Sequence, residues 1–404
     1  MRWQGRACWR DLQETRNPKS EIRKKSQAPS PKSEPEISRF GLGISDLGFA
    51  SDFGFRTSDL AGMSNPLREI LLKLCAREDL TRDEARDAFA HLMSGQATEA
   101  QIGGLLVGLA AKGTTVDELV GAAQVMREKA VPVDCDSGGQ VVLDTCGTGG
   151  DVRGTFNIST AAAIIAAAAG VKVVKHGNRS ASGKSGSADV LEKLGLRLEL
   201  SGPQMQRCLS EANICFAFAR NHHPAMKHVA AARSSLGIPT IFNLLGPLTN
   251  PARAKHQLLG VFAAELTDRL AAVLRELGSE RAWVVHADDG LDEISTLGPT
   301  RISELRDGRV TTWHLDAKSL GLPYARLSDL RIETSDAAAD ALRGIFRGER
   351  GPRRDIAVLN AAAALVVAGA SPDLPHALAL ASDAIDSGSA DWTLRTLIAC
   401  STTD

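Results

Sequence analysis

Asp144-Thr145-Cys146-Gly147-Thr148-Gly149-Gly150-Asp151 is the stretch that decides how this 404-residue chain folds. It follows a short β-branched run, Val141 to Asp144, and leads through Phe156-Asn157-Ile158-Ser159-Thr160 into an alanine-rich helical stretch at 161–169. Strand, glycine-rich turn and helix in that order make up half of a βαβ unit. Gly147, Gly149 and Gly150 remove side chains, so backbone N–H groups can approach an anion, and the helix that follows points its positive end the same way. The spacing is neither G-x-x-x-x-G-K-S/T nor G-x-G-x-x-G, so neither nucleotide fingerprint applies. Taken alone, the cluster is equally compatible with a plain tight turn.

Downstream, the next predicted strand, Val171 to Lys175, runs into Lys175-His176-Gly177-Asn178-Arg179-Ser180-Ala181-Ser182-Gly183-Lys184-Ser185-Gly186-Ser187. Cations, hydroxyls and glycines are thereby gathered at a strand's carboxyl end, where open α/β sheets bind ligands. A diffuse basic surface loop is the alternative. Further strands are predicted at Ile214 to Ala217, Leu258 to Phe262 and Ala282 to His286, with helical patterns between most of them. Such alternation implies an α/β domain with a mostly parallel sheet flanked by helices. After the last strand, Asp288-Asp289-Gly290-Leu291 leads to Asp292-Glu293. Adjacent loop carboxylates suit a hard cation such as Mg²⁺, which also takes substrate phosphate oxygens and water; an acidic surface turn is the commoner meaning of such a run. His222-His223 looks like a metal pair but lacks a third ligand at regular spacing. Cys146 has no neighbouring base and reads as a small packed side chain.

Upstream, Pro66 precedes Leu67, Ile70, Leu71 and Leu74 at helical spacing. Three capping boxes, Thr81 with Glu84, Thr98 with Gln101 and Thr115 with Glu118, announce three more helices with short connections. The expected organisation is a small all-helical N-terminal domain at 63–133, joined by an inserted helical piece at about 223–246, and a larger α/β domain at 134–404. Residues 1–62 differ in kind, with Pro-Ser-Lys mixtures and a degenerate repeat in which Ser45-Asp46-Leu47-Gly48-Phe49 returns as Ser51-Asp52-Phe53-Gly54-Phe55. Three readings of this leader compete: a targeting peptide, a disordered tail, and a start set too early with Met63 as the initiator. Its eight acids argue against the first.

Composition excludes several function classes. With 47 Lys and Arg against 48 Asp and Glu, the chain lacks the basic balance of a protein built around a phosphate backbone. One Tyr and 11 Phe do not make an aromatic stacking platform. The longest apolar stretch, Ala161 to Val171, falls well short of the roughly twenty residues that span a bilayer. Seven cysteines without a C-x-x-C pair point to a reducing cytoplasm and no zinc site.

Together, and in this order, these motifs resemble those of the anthranilate phosphoribosyltransferases, within the nucleoside phosphorylase-like phosphoribosyltransferase group. The resemblance runs from about Met63 to the C-terminal end. It rests on Gly147 to Asp151, Asn157 to Thr160, Lys175 to Arg179, His222 to His228, Phe242 to Pro251 and Leu291 to Ser295. It implies transfer of a phosphoribosyl group from 5-phosphoribosyl 1-diphosphate to the amino group of anthranilate, with release of diphosphate. The phosphoribosyl donor would be held by Gly147, Gly150, Asp151, Thr155, Asn157, Ile158, Ser159, Thr160, Lys175, His176, Gly177, Asn178, Arg179, Ser180, Ala181, Ser182, Gly183 and Ser187. Gly147, Asn178 and Arg233 would contact anthranilate, Arg233 through its carboxylate. Two Mg²⁺ ions per subunit are implied, one on the Ser159 hydroxyl and the other on Asp292 and Glu293. A homodimer through the helical domain is implied as well, with no nucleic-acid or membrane partner.

No discrete acid or base is expected, because an aniline nitrogen is already neutral at pH 7, and Lys175 or Arg179 is expected to stabilise the leaving diphosphate. Val152-Arg153 and Arg220 depart from the family pattern, and an extra cation near the diphosphate would tighten its binding. Two rival readings differ in class. A pyrimidine nucleoside phosphorylase would read Lys-His-Ser-Thr-Gly-Gly after the second strand, and a catalytically silent relative that binds nucleic acid would need a basic core. Residues 63–404 carry 36 basic against 40 acidic residues.

Overall fold

The computed structural model describes residues 67–133, 137–150, 153–180 and 186–403. The leader, with Met63 and Pro66, lies outside them. Four helices open the described chain: α1 (Arg68–Cys75), α2 (Arg82–Met93), α3 (Glu99–Lys112) and α4 (Val116–Lys129). All three capping boxes form, so an N–H in the first turn of each of α2, α3 and α4 is met by the helix's own threonine, and the Glu or Gln three residues on accepts the threonine N–H. Leu67, Ile70, Leu74, Phe89, Leu105, Leu109 and Leu119 turn inward as one apolar core. Inside it, Glu118 is fully buried, pairs with Lys112 at 3.1 Å and accepts the Leu80 N–H at 2.9 Å.

The α/β part begins with β1 (Val142–Asp144), α5 (Ile158–Ala168), β2 (Lys172–Gly177), α6 (Ser187–Leu194), α7 (Gly202–Ala212) and β3 (Ile214–Phe218). The chain then passes through α8 (Lys227–Leu236) to β4 (His256–Gly260), α9 (Leu266–Glu276) and β5 (Arg281–Ala287). The hairpin β6 (Thr300–Arg306) and β7 (Arg309–Leu315) follows, and α10 (Ser335–Phe346), α11 (Pro352–Ala368), α12 (Leu374–Asp386) and α13 (Ser389–Thr402) close the fold. The sheet order is β3-β2-β1-β4-β5-β6-β7; the first five strands are parallel and the last two antiparallel.

Each of the five predicted strands is present, with ends displaced by one or two residues. Two displacements matter, since His176 and Gly177 belong to β2 and are paired with Ala217 and Phe218 of β3. The antiparallel hairpin was not foreseen from the periodicity. Its turn is Asp307-Gly308, both at positive φ, the Asp-Gly pair that favours a tight hairpin.

Both faces of the sheet are covered. Trp283 and Val285 of β5 join a core with α5, α11 and α13, while Ala282 and Val284 point to the opposite core, shared with α9 and the helical bundle. The segment between β3 and β4 belongs to the second core through Val229, Ala232, Phe242 and Leu245, and Phe242 meets Phe89 of α2 edge-on at 5.7 Å. The chain leaves β1 toward β2 and β3, then returns to the other side of β1 as β4. The reversal opens a crevice outside the carboxyl ends of β1 and β4.

Candidate active site

Three backbones meet in that crevice. The turn after β1 lies against the end of β4: Thr148 N–H donates to the Gly260 carbonyl at 2.8 Å, and a Cβ on Gly147 would sit 2.9 Å from that oxygen. On its other side Gly260 touches the loop after β5 so closely that a Cβ would overlap the Asp292 carbonyl. Glycine at 147 and 260 is what lets the glycine-rich turn and the Asp292-Glu293 loop approach each other.

The N-terminus of α5 opens into the same place. Asn157, its N-cap, makes no capping hydrogen bond, and the first turn holds no acid. Instead the Ser159 N–H donates to Glu293 Oε1 at 3.0 Å, a carboxylate supplied from 134 positions further along. Lys175, buried at the end of β2, donates from Nζ to Thr145 Oγ1 at 3.1 Å and to Ser159 Oγ at 3.3 Å. Thr145 Oγ1 in turn donates to the Ser159 carbonyl at 3.0 Å. A positive helix end, an ammonium, a hydroxyl and a carboxylate therefore share one pocket of the fold.

Two buried groups that sequence reasoning missed hold this arrangement. Asn360 of α11, fully buried, accepts the Ile294 N–H at 3.0 Å and donates to the Ile294 carbonyl at 2.8 Å, which fixes the loop one residue beyond Glu293. Asp144 Oδ1 accepts the N–H groups of Cys146 at 3.0 Å and His176 at 3.1 Å, joining the ends of β1 and β2. Burial raises the Asp144 carboxyl to about 6, against the pull of Lys175. Signals existed for both: an Asn in the apolar run of α11, and an Asp at the last residue of a buried strand.

Beyond β2 the loop is organised by Asp189 of α6, whose Oδ2 accepts the N–H groups of Ser180 at 3.1 Å and Gly186 at 3.0 Å. Arg179 turns to the same helix, with Nη1 2.8 Å from Asp189 and 2.9 Å from Glu192, and its guanidinium lies over the Phe218 ring. These partners hold its pKa above the ordinary arginine value. Of the two cations singled out above, Lys175 is the one at the α5 N-terminus. Asn178 accepts the Arg179 N–H at 2.8 Å, and Ser187 Oγ donates to the Asn178 carbonyl at 3.4 Å. A Cβ on Gly177 would overlap Ser187 Oγ, so the end of β2 lies against the start of α6. Asp151, Ala181, Ser182 and Gly183 lie outside the described residues.

The remaining candidates surround this core. Thr155 pairs with Arg331 in an isolated bridge, and Gly150 follows the turn at positive φ. Ile158 and Thr160 are buried in α5, so only their main chain faces the crevice's helix end. His176 Nδ1 donates to the Gly246 carbonyl at 3.1 Å, and its ring is 5.2 Å from that of His223. Burial pushes His176 down to about 3 and His223 to about 4, so both are neutral. His222 Nδ1 donates to the Val131 carbonyl at 2.9 Å. Burial, with Asp144 nearby, raises the Cys146 thiol and leaves it inert as a nucleophile. Arg233 of α8 is half-buried, with its guanidinium stacked on the Phe242 ring at 5.0 Å and no carboxylate paired to it among the described residues. Burial lowers its pKa.

Among the described residues no three His, Cys, Asp or Glu side chains come together as a metal cage. Ser159, Asp292 and Glu293 supply only hard oxygen donors, and the contact from Ser159 N–H to Glu293 brings the start of α5 to the Asp292-Glu293 loop. That set fits Mg²⁺, which keeps waters and uses substrate phosphate oxygens rather than a closed protein cage.

The open α/β sheet with its carboxylate loop and the appended helical bundle correspond to the two domains of the glycosyl transferase family, which sets the class of the protein. The model of the glycosyl transferase family a/b domain matches residues 139–391, and that of its helical bundle domain matches 68–130. Anthranilate phosphoribosyltransferase of Rhodospirillum rubrum is 52% identical over 336 residues, which cover 83% of this chain and 96% of that protein. The crystal structure of anthranilate phosphoribosyltransferase from Thermus thermophilus superposes with a TM-score of 0.78 at 40% identity, covering 82% of this chain and 99% of that one. The Saccharomyces cerevisiae enzyme in complex with PRPP and Mg has a TM-score of 0.77 at 26% identity, covering 84% and 99%. The chain belongs to the anthranilate phosphoribosyltransferase family.

Proposed function

We infer that the protein transfers the phosphoribosyl group of 5-phosphoribosyl 1-diphosphate to the amino group of anthranilate, giving N-(5-phosphoribosyl)anthranilate and diphosphate, the second step of tryptophan biosynthesis from chorismate. The observation that carries the reading is the α5 N-terminus, where Ser159, Lys175 and Glu293 converge within hydrogen-bond distance. The yeast relative was solved with PRPP and Mg, and with 4-fluoroanthranilate.

The amine attacks the anomeric carbon while the bond to the diphosphate oxygen breaks, so negative charge grows on the leaving group. Lys175, the α5 N–H groups and the glycine-rich turn bind that charge, and donors fixed in advance are worth several kcal/mol in such a role. Two Mg²⁺ per subunit would be held by Ser159, Asp292 and Glu293, and would supply further neutralisation of the diphosphate. Gly147, Gly150, Asp151, Thr155, Asn157 to Thr160, Lys175 to Gly183 and Ser187 form the donor site in this reading, while Gly147, Asn178 and Arg233 meet anthranilate. Arg233 suits its carboxylate, since a planar guanidinium partly desolvated on Phe242 has no acidic partner among the described residues to give up. The neutral nucleophile needs no strong base.

The protein acts as a homodimer joined through the helical domain, a reading supported by Leu72 of α1 and Val107 of α3, which leave large apolar side chains exposed. It works in the cytoplasm, consistent with free thiols at Cys75, Cys146, Cys208, Cys215 and Cys400. No described helix is long and apolar enough to cross a membrane. Loss of anthranilate fluorescence that requires protein, 5-phosphoribosyl 1-diphosphate and Mg²⁺ together tests the activity. A folded protein that gives no loss, yet shifts single-stranded DNA in a salt-dependent gel assay, would overturn it in favour of the silent relative.

A further inference from the structure

The geometry points to Arg153 as a positioning residue that ties the glycine-rich segment to the acidic turn 288–293 and offsets that turn's charge when the polyanionic donor binds. This inference rests on the reading of the site given above.

The main chain around Arg153 is fixed from one side. Arg331 Nε donates to the Arg153 carbonyl at 3.2 Å, Ile332 N–H donates to the Gly154 carbonyl at 2.8 Å, and Phe156 N–H donates to the Leu330 carbonyl at 3.1 Å. From that anchored strand-like run the side chain crosses to the other wall of the crevice. Its guanidinium lies flat against Gly290, where a Cβ would overlap Nη2 and stand 3.1 Å from Cζ and Nε. Gly290 has φ +89°, and its turn is closed by Gly290 N–H to the Ala287 carbonyl at 2.8 Å and by Leu291 N–H to Asp289 Oδ1 at 3.1 Å. Glycine is thus needed there twice, for the backbone and to leave room for the arginine.

The turn carries Asp288, Asp289, Asp292 and Glu293 within six residues, and Asp289 Oδ2 is buried without a hydrogen-bond partner among the described residues. A second polyanion brought beside these groups is repelled unless cations intervene. Divalent ions supply part of that charge, and a guanidinium held against the turn supplies a fixed part that needs no ion uptake. Arg153 therefore lowers the Mg²⁺ concentration at which the diphosphate donor binds, and it leaves the anthranilate side of the site alone.

Calorimetric binding of 5-phosphoribosyl 1-diphosphate to the full chain across a Mg²⁺ series tests this without turnover. Arg153→Ala should weaken donor binding about tenfold at low Mg²⁺, as expected for a lost charge-assisted contact, and the gap should close as Mg²⁺ rises. Arg153→Lys should restore most of the low-Mg²⁺ affinity, and the KM for anthranilate should stay at the wild-type value. Gly290→Ala, which displaces the guanidinium while keeping its charge on the chain, should behave as Arg153→Ala. Equal donor affinity in wild type and Arg153→Ala at every Mg²⁺ concentration would overturn the proposal, as would a loss that Mg²⁺ does not narrow. Failure of the wild type to bind the donor at all would instead overturn the function.

Discussion

The helices α2, α3 and α4 close their own N-termini, whereas α5 does not. In the bundle each first turn receives a threonine hydroxyl and returns a Glu or Gln three residues on. At α5 the N-cap Asn157 makes no such bond, and the Ser159 N–H is met by Glu293 from the loop after β5. Local caps stabilise helices wherever they lie, and they occupy an N–H that a ligand could otherwise use. A helix end satisfied by a distant carboxylate can exchange that partner for a phosphate, so the difference separates a structural terminus from a working one.

Breaking the working terminus should have the largest effect. Glu293→Ala is expected to cut kcat/KM by about 100-fold or more while the melting temperature stays close to wild type, measured by anthranilate fluorescence and thermal denaturation. Retained activity would remove Glu293 from the donor site. Arg233→Ala should come next, with kcat/KM for anthranilate falling roughly 30-fold, about 2 kcal/mol, and the KM for the donor unchanged. An equal loss for both substrates would mean that α8 had shifted rather than lost a contact.

Asn360→Leu sharpens the comparison from behind the site. It strands the buried N–H and carbonyl of Ile294, and should lower stability by about 2–3 kcal/mol in denaturant titration, with activity falling alongside. Full activity after such a loss would show that the Asp292-Glu293 loop needs no support from α11.

The pH dependence of stability follows from the buried groups. His176 and His223 are neutral in the fold, at about 3 and about 4, and titrate near 6.5 when unfolded. The unfolded chain therefore takes up more protons below about 6.5, and stability present above that pH is lost as pH falls, by up to about 1.4 kcal/mol per unit for each ring. Asp144 acts the opposite way. Raised from 3.8 to about 6, it stabilises the fold at low pH, and that contribution is lost as pH rises through 6, so it offsets one of the two histidines over this range. His223→Asn should flatten or reverse the slope of Tm against pH between about 4 and 6. An unaltered slope would show that other groups set it. Smallest of all, Thr98→Ala should cost about 1 kcal/mol and no activity, because α3 carries a structural cap.

Much of this was legible in the residues. Alternation of β-branched runs and helices marked a mostly parallel sheet, and capping boxes marked the bundle, because both are local patterns with a fixed period. Strand ends were less legible: His176 and Gly177 read as loop but pair with β3, since a glycine is admitted to β2 by the close approach of Ser187 and Phe216. The β6–β7 hairpin lay behind the Asp307-Gly308 pair, which was readable as a turn. Side-chain partners were not readable. Nothing in the order of residues says that Glu293 reaches Ser159, that Asn360 grips Ile294, or that Arg179 turns to Asp189 and Glu192 while Lys175 stays at the helix end. The first of those pairings comes from the sheet order, which stacks Gly147, Gly260 and the Asp292 loop side by side.

A crystal structure with 5-phosphoribosyl 1-diphosphate and Mg²⁺ bound tests the central claim most directly. The account predicts the diphosphate at the α5 N-terminus beside Ser159 and Lys175, with the Glu293 carboxylate moved off the Ser159 N–H. Diphosphate bound away from α5, with the Ser159 N–H still on Glu293, would contradict it.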